Sequence, residues 1–422
     1  MTFSKRDFLK LGGAALVGSA VASNVKASND KAALSDITGD MKPISRDERL
    51  ARVAKAQSLM TQMGIDAILL EPGSAMIYFT GIRWWRSERM TAVIIPAKGD
   101  IAIVTPFFEE PSVRESMTFG GDVRPWHEHE SPFAVVNGIL KDRGIAGGKI
   151  GLESTVRYFI VDGLKRDAHT HEIVSAEPIT RGCRMYKSAH EITLMRKANE
   201  VTLTAYSHVW DTLEVGMTSD DVNAKMRAAQ KALGGSGVWN MALLNEASAF
   251  PHGSEQPQEV RNGSVVLMDC VCSVHDYQSD ISRTFVFGEA SKRQREVWNL
   301  VRAGQEVVME TAQIGTAAGK VDDAVRKLYE SKGYGPGYAT PGLSHRTGHG
   351  IGMDGHESVN FVHGETEKLA SGMCFSNEPG LYIMGEFGVR LEDCIYMTDS
   401  GPKWFTEPPS SIDSPIGKMG DL

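Results

Sequence analysis

Apolar positions recur at helical spacing from Arg46 to Gly64, which predicts an amphipathic helix with one buried face. Short runs rich in β-formers follow: Ala67-Ile68-Leu69-Leu70, Ile77-Tyr78-Phe79, Ala92-Val93-Ile94-Ile95 and Ile101-Ala102-Ile103-Val104. Gly and Pro punctuate them, so each reads as a strand in a small α/β domain that we bound at 46–180. A joint at Arg181 to Ser188 leads into a long helix from about Ala189, where Leu194, Ala198, Val201, Ala205 and Val209 mark one face. Helical patterns also cover 219–233, 291–315 and 319–332, and strands are expected at 265–273, 277–287, 372–378 and 388–397. The region 181–410 is therefore α+β with antiparallel hairpins. Residues 28–45 read as a polar linker and 411–422 as an irregular tail.

Acids that close apolar strands need explaining, because a buried carboxylate is costly alone. Asp269 ends the run Val265-Val266-Leu267-Met268, and Asp280 follows in Ser279-Asp280-Ile281-Ser282-Arg283-Thr284-Phe285. A hairpin turning at Val274 and His275 sets these two acids directly opposite, with Cβ atoms about 5 Å apart. A second hairpin, turning on Gly385, sets Glu378 opposite Glu392 in the same way. Between the hairpins lies His345-Arg346-Thr347-Gly348-His349-Gly350, then His356-Glu357. Paired anions repel, and bridging cations remove the penalty. Four carboxylates and one imidazole neutralise two divalent ions and suit Mn, Fe, Co or Zn.

These residues resemble the "pita-bread" family of methionine aminopeptidase, aminopeptidase P, prolidase and creatinase. The family's ordered ligand set of Asp, Asp, His, Glu and Glu falls on Asp269, Asp280, His349, Glu378 and Glu392. The flanks match as well: Asp280 to Phe285, His345-Arg346-x-Gly348-His349-Gly350, Glu378-Pro379-Gly380 and Gly388-Val389-Arg390-Leu391-Glu392-Asp393. Arg184-Met185-Tyr186-Lys187-Ser188 is similar to the joint of the Xaa-Pro branch. The resemblance implies an α/β N-terminal domain plus an α+β pita-bread catalytic domain with an antiparallel sheet. It further implies two divalent metal ions, manganese foremost with Co, Zn or Fe as alternatives, sharing a hydroxide that hydrolyses an Xaa-Pro peptide bond. By the same resemblance Glu378 moves the proton, His252 and His356 contact substrate or the tetrahedral intermediate, and Arg390 supports the carboxylates.

Alternatives stay open at this level. A relative could hydrolyse a non-peptide C–N bond of a small amide. A lyase branch carries an extra Asp two residues after the first ligand; Val271 stands there. Ser358-Val359 follows His356-Glu357 where the family's peptidases usually have x-Pro, so the pocket is expected to differ. Creatinase relatives lack metal ligands that are all present here. His127-Glu128-His129-Glu130, His169 and His171 read as solvated positions, and Cys270 and Cys272 alternate to the face away from Asp269. Arg83, Trp84 and Trp85 pack locally or line a neighbouring subunit's pocket in a homodimer or higher homo-oligomer.

Net charge, −8 over 422 residues, gives no electrostatic reason to expect nucleic acid, and five cysteines indicate no disulfide framework. Lys5, Arg6 and Lys10 precede a weakly apolar stretch from Leu11 to Val25, and Val25-Lys26-Ala27 resembles a cleavage site. That stretch is too short for a stable membrane span. Ser4-Lys5-Arg6-Asp7-Phe8-Leu9-Lys10 resembles a twin-arginine export signal with Lys5 in place of one arginine. Residues 1–27 are thus expected to be an export signal and the mature chain to be periplasmic. Loss of Lys5, Arg6, Lys10, Lys26 and Asp7 leaves a net charge of −11.

Overall fold

A computed structural model describes residues 33–421. The export segment expected at 1–27 lies outside the described residues.

Four helices begin with a reciprocal cap in which Ser or Thr bonds the backbone three residues on and the side chain there bonds back. They are α1 (Arg46–Met63), α7 (Ala189–Thr212), α8 (Ser219–Ala232) and α9 (Lys292–Thr311), capped by Ser45, Ser188, Thr218 and Ser291. Gly64, at φ 65°, ends α1 in the left-handed conformation that glycine adopts freely.

The N-terminal half is a six-stranded mixed sheet in the order β4-β3-β2-β1-β5-β6. Its strands are β1 (Ala67–Leu70), β2 (Ala92–Pro96), β3 (Ala102–Pro106), β4 (Asp122–Trp126), β5 (Gly148–Leu152) and β6 (His171–Ser175). Every residue of β1, β2 and β3 is buried, which is why those runs are apolar without alternation. Helices α2 (Ser74–Thr80), α3 (Glu110–Ser116), α4 (Pro132–Asp142), α5 (Tyr158–Asp167) and α6 (Glu177–Arg184) connect or flank the strands. The run Ile77-Tyr78-Phe79, expected as a strand, is helical within α2. Packing overrides its β-propensity: Tyr78 and Phe79 are buried, and the Arg52 guanidinium lies 3.9 Å from the Tyr78 ring centre.

The C-terminal half holds β7 (Ser236–Leu244), β8 (Ser264–Val274), β9 (Tyr277–Phe287), α10 (Gly319–Glu330), β10 (Gly348–Gly350), β11 (Glu357–Phe361), β12 (Cys374–Asn377), β13 (Gly380–Ile383), β14 (Phe387–Arg390), β15 (Asp393–Thr398) and β16 (Gly401–Trp404). One sheet runs β7-β8-β9, another β11-β10-β12-β15-β16, and β13 pairs with β14. The buried side chains of α9 and α10 share a core with Phe361, Phe375, Leu381, Val389 and Ile395. Residues beyond Pro408 are mostly irregular, as expected, but Lys418–Met419 (β18) pairs with Thr406–Glu407 (β17), and Arg283 Nε donates to Ile416 O at 2.9 Å. The linker also docks: Ile37 N donates to Leu233 O at 3.1 Å.

The first hairpin forms with a register two residues from the expected one. Its turn is His275-Asp276, both in the left-handed region at φ 46° and 77°, so Val274 pairs with Tyr277, Asp269 with Ser282 and Asp280 with Val271. Two-residue turns of that handedness match the strand twist. Asp269 and Asp280 are therefore diagonal neighbours rather than directly opposed. An even shift leaves both on one face, with more room between them than direct opposition would give. The second hairpin has the expected register, Gly380 opposite Arg390 and Asn377 opposite Asp393. Its ladder breaks between those pairs, where Glu378 and Glu392 sit. There Glu378 N donates to Thr347 O at 3.0 Å, and Glu392 exchanges backbone hydrogen bonds with Ser282 at 3.0 and 3.3 Å. That exchange joins the two hairpins.

Candidate metal centre

One cavity of about 290 Å³ is lined by Asp269, Asp280, His349, Glu378 and Glu392, together with His252, His345, Arg346, His356 and Arg390. Asp280, His349 and Glu392 are buried and offer ligand atoms within 4.8 Å of one another. Glu378 joins them through Oε1, 3.3 Å from His349 Nε2; Asp280 Oδ2 is 3.8 Å from the same nitrogen. Asp269 lines the same cavity, held by Arg390 Nη2 at 2.7 Å.

The surroundings orient each group. Ser282 Oγ donates to Glu392 Oε2 at 2.7 Å and Ser376 Oγ to Glu378 Oε1 at 3.4 Å. His349 N donates to Ser376 Oγ at 3.0 Å, fixing the backbone of β10. His349 Nδ1 lies 3.1 Å from Gly350 O. A carbonyl only accepts, so the ring proton sits on Nδ1 and the Nε2 lone pair faces the carboxylates. Arg390 is fully engaged: beyond Asp269 it donates to Ser282 Oγ at 3.0 Å, Tyr382 OH at 3.0 Å and Pro251 O at 3.3 Å.

The electrostatics call for cations. Burial, then the charges of Asp269 and Glu378, push Asp280 well above the ordinary carboxylate range. Burial, then Asp280 and Glu378, do the same to Glu392. Burial raises Glu378 to about 7, with Asp269 adding to the rise against the pull of Arg390. His349 is held well below its ordinary value by burial and the His356 ring, so it stays neutral. Asp269 Oδ1 is buried with no hydrogen-bond partner among the described residues. An orphaned carboxylate oxygen, an imidazole lone pair and three mutually repelling acids form a donor set of O and N atoms that fits divalent ions.

His252 and His356 are both exposed at the cavity wall; the His356 ring centre is 4.1 Å from that of His349. Three neighbours carry no role in the sequence pattern. His345 bonds Arg346 O through Nδ1 and Tyr382 OH through Nε2, both at 2.7 Å, and burial followed by the charge of Arg390 lowers it to about 3. Tyr382 thus links His345 to Arg390. Arg346 lines the cavity itself. His345 and Arg346 are visible in the sequence only as flanks of His349, and Tyr382 has no local signal at all.

Other candidates fall elsewhere. Cys270 and Cys272 are fully buried on the opposite face, Cys272 against Thr202 and Ala198. Val271 faces Asp280 across the ladder, so no acid occupies the position a lyase would use. His127, Glu128, His129 and His169 are exposed as expected. His171 is not: it is buried in β6, its ring nitrogens 3.2 Å from Ala168 O and Ile145 O. Those two carbonyls supply the polar contacts that water was expected to give. Trp84 and Trp85 stack with ring centres 4.7 Å apart, and Arg83 pairs with Asp276 at 2.5 Å; none of the three lines this cavity. A second cavity of about 510 Å³ adjoins through His356, walled by α2, α6, Glu153 and the loop Asp354 to Ser358.

The sequence profile of metallopeptidase family M24 matches residues 193–399, and that of the creatinase/prolidase N-terminal domain matches 52–186. A probable dipeptidase PepE of Mycobacterium bovis is 30% identical over 354 residues, covering 83% of this chain and 92% of the relative. The chain belongs to metallopeptidase family M24. An Xaa-Pro dipeptidase of Lactobacillus delbrueckii subsp. lactis is 28% identical over 83% of this chain and 95% of its own. The crystal structure of dipeptidase PepE from Mycobacterium ulcerans superposes with TM-score 0.81 at 28% identity, covering 88% of this chain and 98% of the other. This M24 protein is accordingly a hydrolase of the pita-bread, Xaa-Pro peptidase branch, with a creatinase-type N-terminal domain and a requirement for divalent metal.

Proposed function

We propose that this M24 peptidase hydrolyses Xaa-Pro peptide bonds with two divalent cations held by Asp269, Asp280, His349, Glu378 and Glu392. The observation that carries the reading is the convergence of those five groups on one cavity of about 290 Å³. Four carboxylates balance the charge of two divalent ions, and the mixed O and N donors suit manganese, with Co, Zn or Fe as alternatives. Bound there, the ions supply a water acidified toward neutrality and a Lewis acid for the scissile carbonyl.

The chain's own groups do the rest. Glu378, at the cavity wall, takes a proton from the attacking water and returns it to the leaving nitrogen. His252 and His356 stand at the wall to hydrogen-bond the substrate and the developing oxyanion. Arg390 keeps Asp269 oriented. Proline specificity is supported by relatives named Xaa-Pro dipeptidase. The residues 1–27 direct export to the periplasm, and the active form is a homodimer or higher homo-oligomer.

The test is a comparison of metal-stripped and manganese-reloaded protein on proline dipeptides, longer Xaa-Pro peptides and small non-peptide amides, with Asp280→Ala as control. Metal-dependent cleavage of the Xaa-Pro bond is expected, absent from the variant. Hydrolysis untouched by chelation sinks the reading. Turnover of small amides alone would move the activity to non-peptide C–N bonds.

A further inference from the structure

Residues 331–347 run from α10 to β10 through turns and one bridge, Gly342 to Tyr382, with no helix or strand of their own. Connections longer than about 12–15 residues without such structure are uncommon in compact domains. This one nonetheless delivers His345 and Arg346 to the wall of the metal cavity. With no ladder of its own, the segment takes its order from what packs against it.

A buried ion pair on α10 supplies much of that order. Asp322 is fully buried and Arg326 nearly so, and Arg326 Nε donates to Asp322 Oδ2 at 2.7 Å. The other two guanidinium nitrogens bind the connection itself: Nη1 donates to Gly337 O at 2.7 Å and Leu343 O at 2.8 Å, and Nη2 to His345 O at 2.6 Å. The Tyr338 ring centre lies 3.8 Å from the same guanidinium. Asp322 in turn accepts from Thr347 Oγ1 at 2.6 Å, Thr347 N at 3.2 Å and His363 N at 3.0 Å. Thr347 O accepts from Glu378 N at 3.0 Å, so the clamp reaches the backbone of a proposed ligand. Three carbonyls spread over nine positions of chain need a planar fork of donors, which a single ammonium does not offer.

We propose that Asp322 and Arg326 are positioning residues for hydrolysis, holding residues 337–347 so that His345 and Arg346 stand at the cavity wall as the reaction requires. This rests on the peptidase reading above. Neither Asp322 nor Arg326 lines the cavity, so both act through the segment they hold. His349 is fixed separately, by Ser376 and by β11 and β12 on either side, so the metal site fills without the clamp. A misplacement of about 1 Å caused by a remote change can cost roughly 100-fold in rate.

The experiment uses the manganese-loaded full chain with alanylproline and compares Arg326→Ala, Arg326→Lys and Leu140→Ala. Leu140 is fully buried in the N-terminal core and has no part in the clamp, so its variant controls for lowered stability alone. All are assayed at a temperature where circular dichroism shows each folded. Arg326→Ala is expected to keep the manganese content of the wild type, to lose roughly 10- to 100-fold in kcat and to hold KM within about threefold. Arg326→Lys keeps a charge beside Asp322, so it should regain most of the lost Tm but little of the kcat. Leu140→Ala should lower Tm and leave kcat alone. Hydrogen exchange read by mass spectrometry reports the clamp without turnover, and residues 337–347 should exchange faster in Arg326→Ala. Wild-type kcat in folded, metal-loaded Arg326→Ala overturns the proposal. So does a kcat that follows Tm through all three variants, or a loss of kcat matched by loss of manganese. A wild type inert on alanylproline overturns the peptidase reading instead, and exchange then judges the clamp alone: faster exchange upholds it and unchanged exchange overturns it.

Discussion

Asp280 is buried beside Glu378 and Glu392, and burial with like charge holds all three against ionisation, which decides what its loss should do. Asp280→Ala removes one ligand and one like charge, so the folded chain should persist by circular dichroism while bound metal, counted by elemental analysis, and hydrolysis both fall away. Arg390→Ala acts at one remove. It frees Asp269 and leaves Ser282 and Tyr382 without their donor, and should cost roughly 10- to 100-fold in metal affinity or kcat/KM. The carboxylates also predict a pH dependence. In metal-free protein Glu378 titrates near 7 instead of its usual 4.5, because of burial first. Between those values the folded chain holds a proton that the unfolded chain has released, so stability falls as pH rises across that window. Metal takes the place of those protons. The gain in Tm on adding Mn²⁺ to chelator-treated protein should therefore be larger at pH 7.5 than at pH 5.5. A gain that is flat or reversed with pH would contradict a site built on mutually repelling acids.

At the scale of elements, the loop from Asp354 to Ser358 shows how a short segment is fixed to the joint between halves. Glu357 lies between Arg184 and Lys187, which bond its two oxygens at 2.5 and 2.9 Å. Burial alone would raise its proton affinity, yet the two cations overcome that and hold it at about 2. A lowered carboxylate contributes stability that is present above its unfolded value near 4.5 and is lost as pH falls toward 2. Glu357→Gln should erase that slope in an acid unfolding series. At neutral pH it should cost roughly 3 kcal/mol, since it leaves the buried Lys187 ammonium without its anion while Arg184 keeps Asp354. This contact also explains why His356 keeps its place at the cavity wall. Much of such local order is legible in the sequence: the Ser and Thr caps, the helical periods and the acids that close apolar strands announce themselves within a few residues. What depends on distant packing is not. Ile77-Tyr78-Phe79 has strand propensity but is helical because α1 supplies Arg52 to cover Tyr78. The hairpin turn falls one residue later than the pattern suggests, because His275 and Asp276 accept the left-handed conformation with no glycine to mark it. The five proposed ligands could still be read correctly as sharing a cavity, because a two-residue slip keeps a strand's face. The pairing of Tyr382 with His345 has no such mark, since it joins residues 37 positions apart and leaves no periodic trace.

Across the molecule, one buried cluster ties the N-terminal half to the hairpin that carries Asp280. Arg52 on α1 pairs with Glu191 on α7 at 3.1 Å and donates to Tyr277 OH at 2.8 Å; Tyr277 in turn donates to Glu191 Oε1 at 2.7 Å. Tyr277 opens β9, three residues before Asp280, so the clasp grips the strand that bears a proposed ligand. Both charges are buried, Arg52 at 8% and Glu191 at 4% exposure, so each depends on the other for solvation. Removing one partner leaves an uncompensated ion. Arg52→Ala should destabilise the chain by roughly 3–5 kcal/mol in urea denaturation, whereas Tyr277→Phe, which deletes a hydroxyl and leaves the ion pair, should cost about 1 kcal/mol. The decisive comparison is the double replacement Arg52→Met with Glu191→Leu. Apolar residues of similar volume remove both desolvation penalties at once, so the double variant should be more stable than Arg52→Ala, short of wild type by about 1 kcal/mol for the α7 cap that Glu191 also closes. If the double replacement is as damaging as the single one, the cluster holds the halves by packing shape and not by mutual neutralisation of charge. Loss of metal content at a fixed free Mn²⁺ concentration in Arg52→Ala, recovered in the double variant, would tie the same clasp to the position of Asp280.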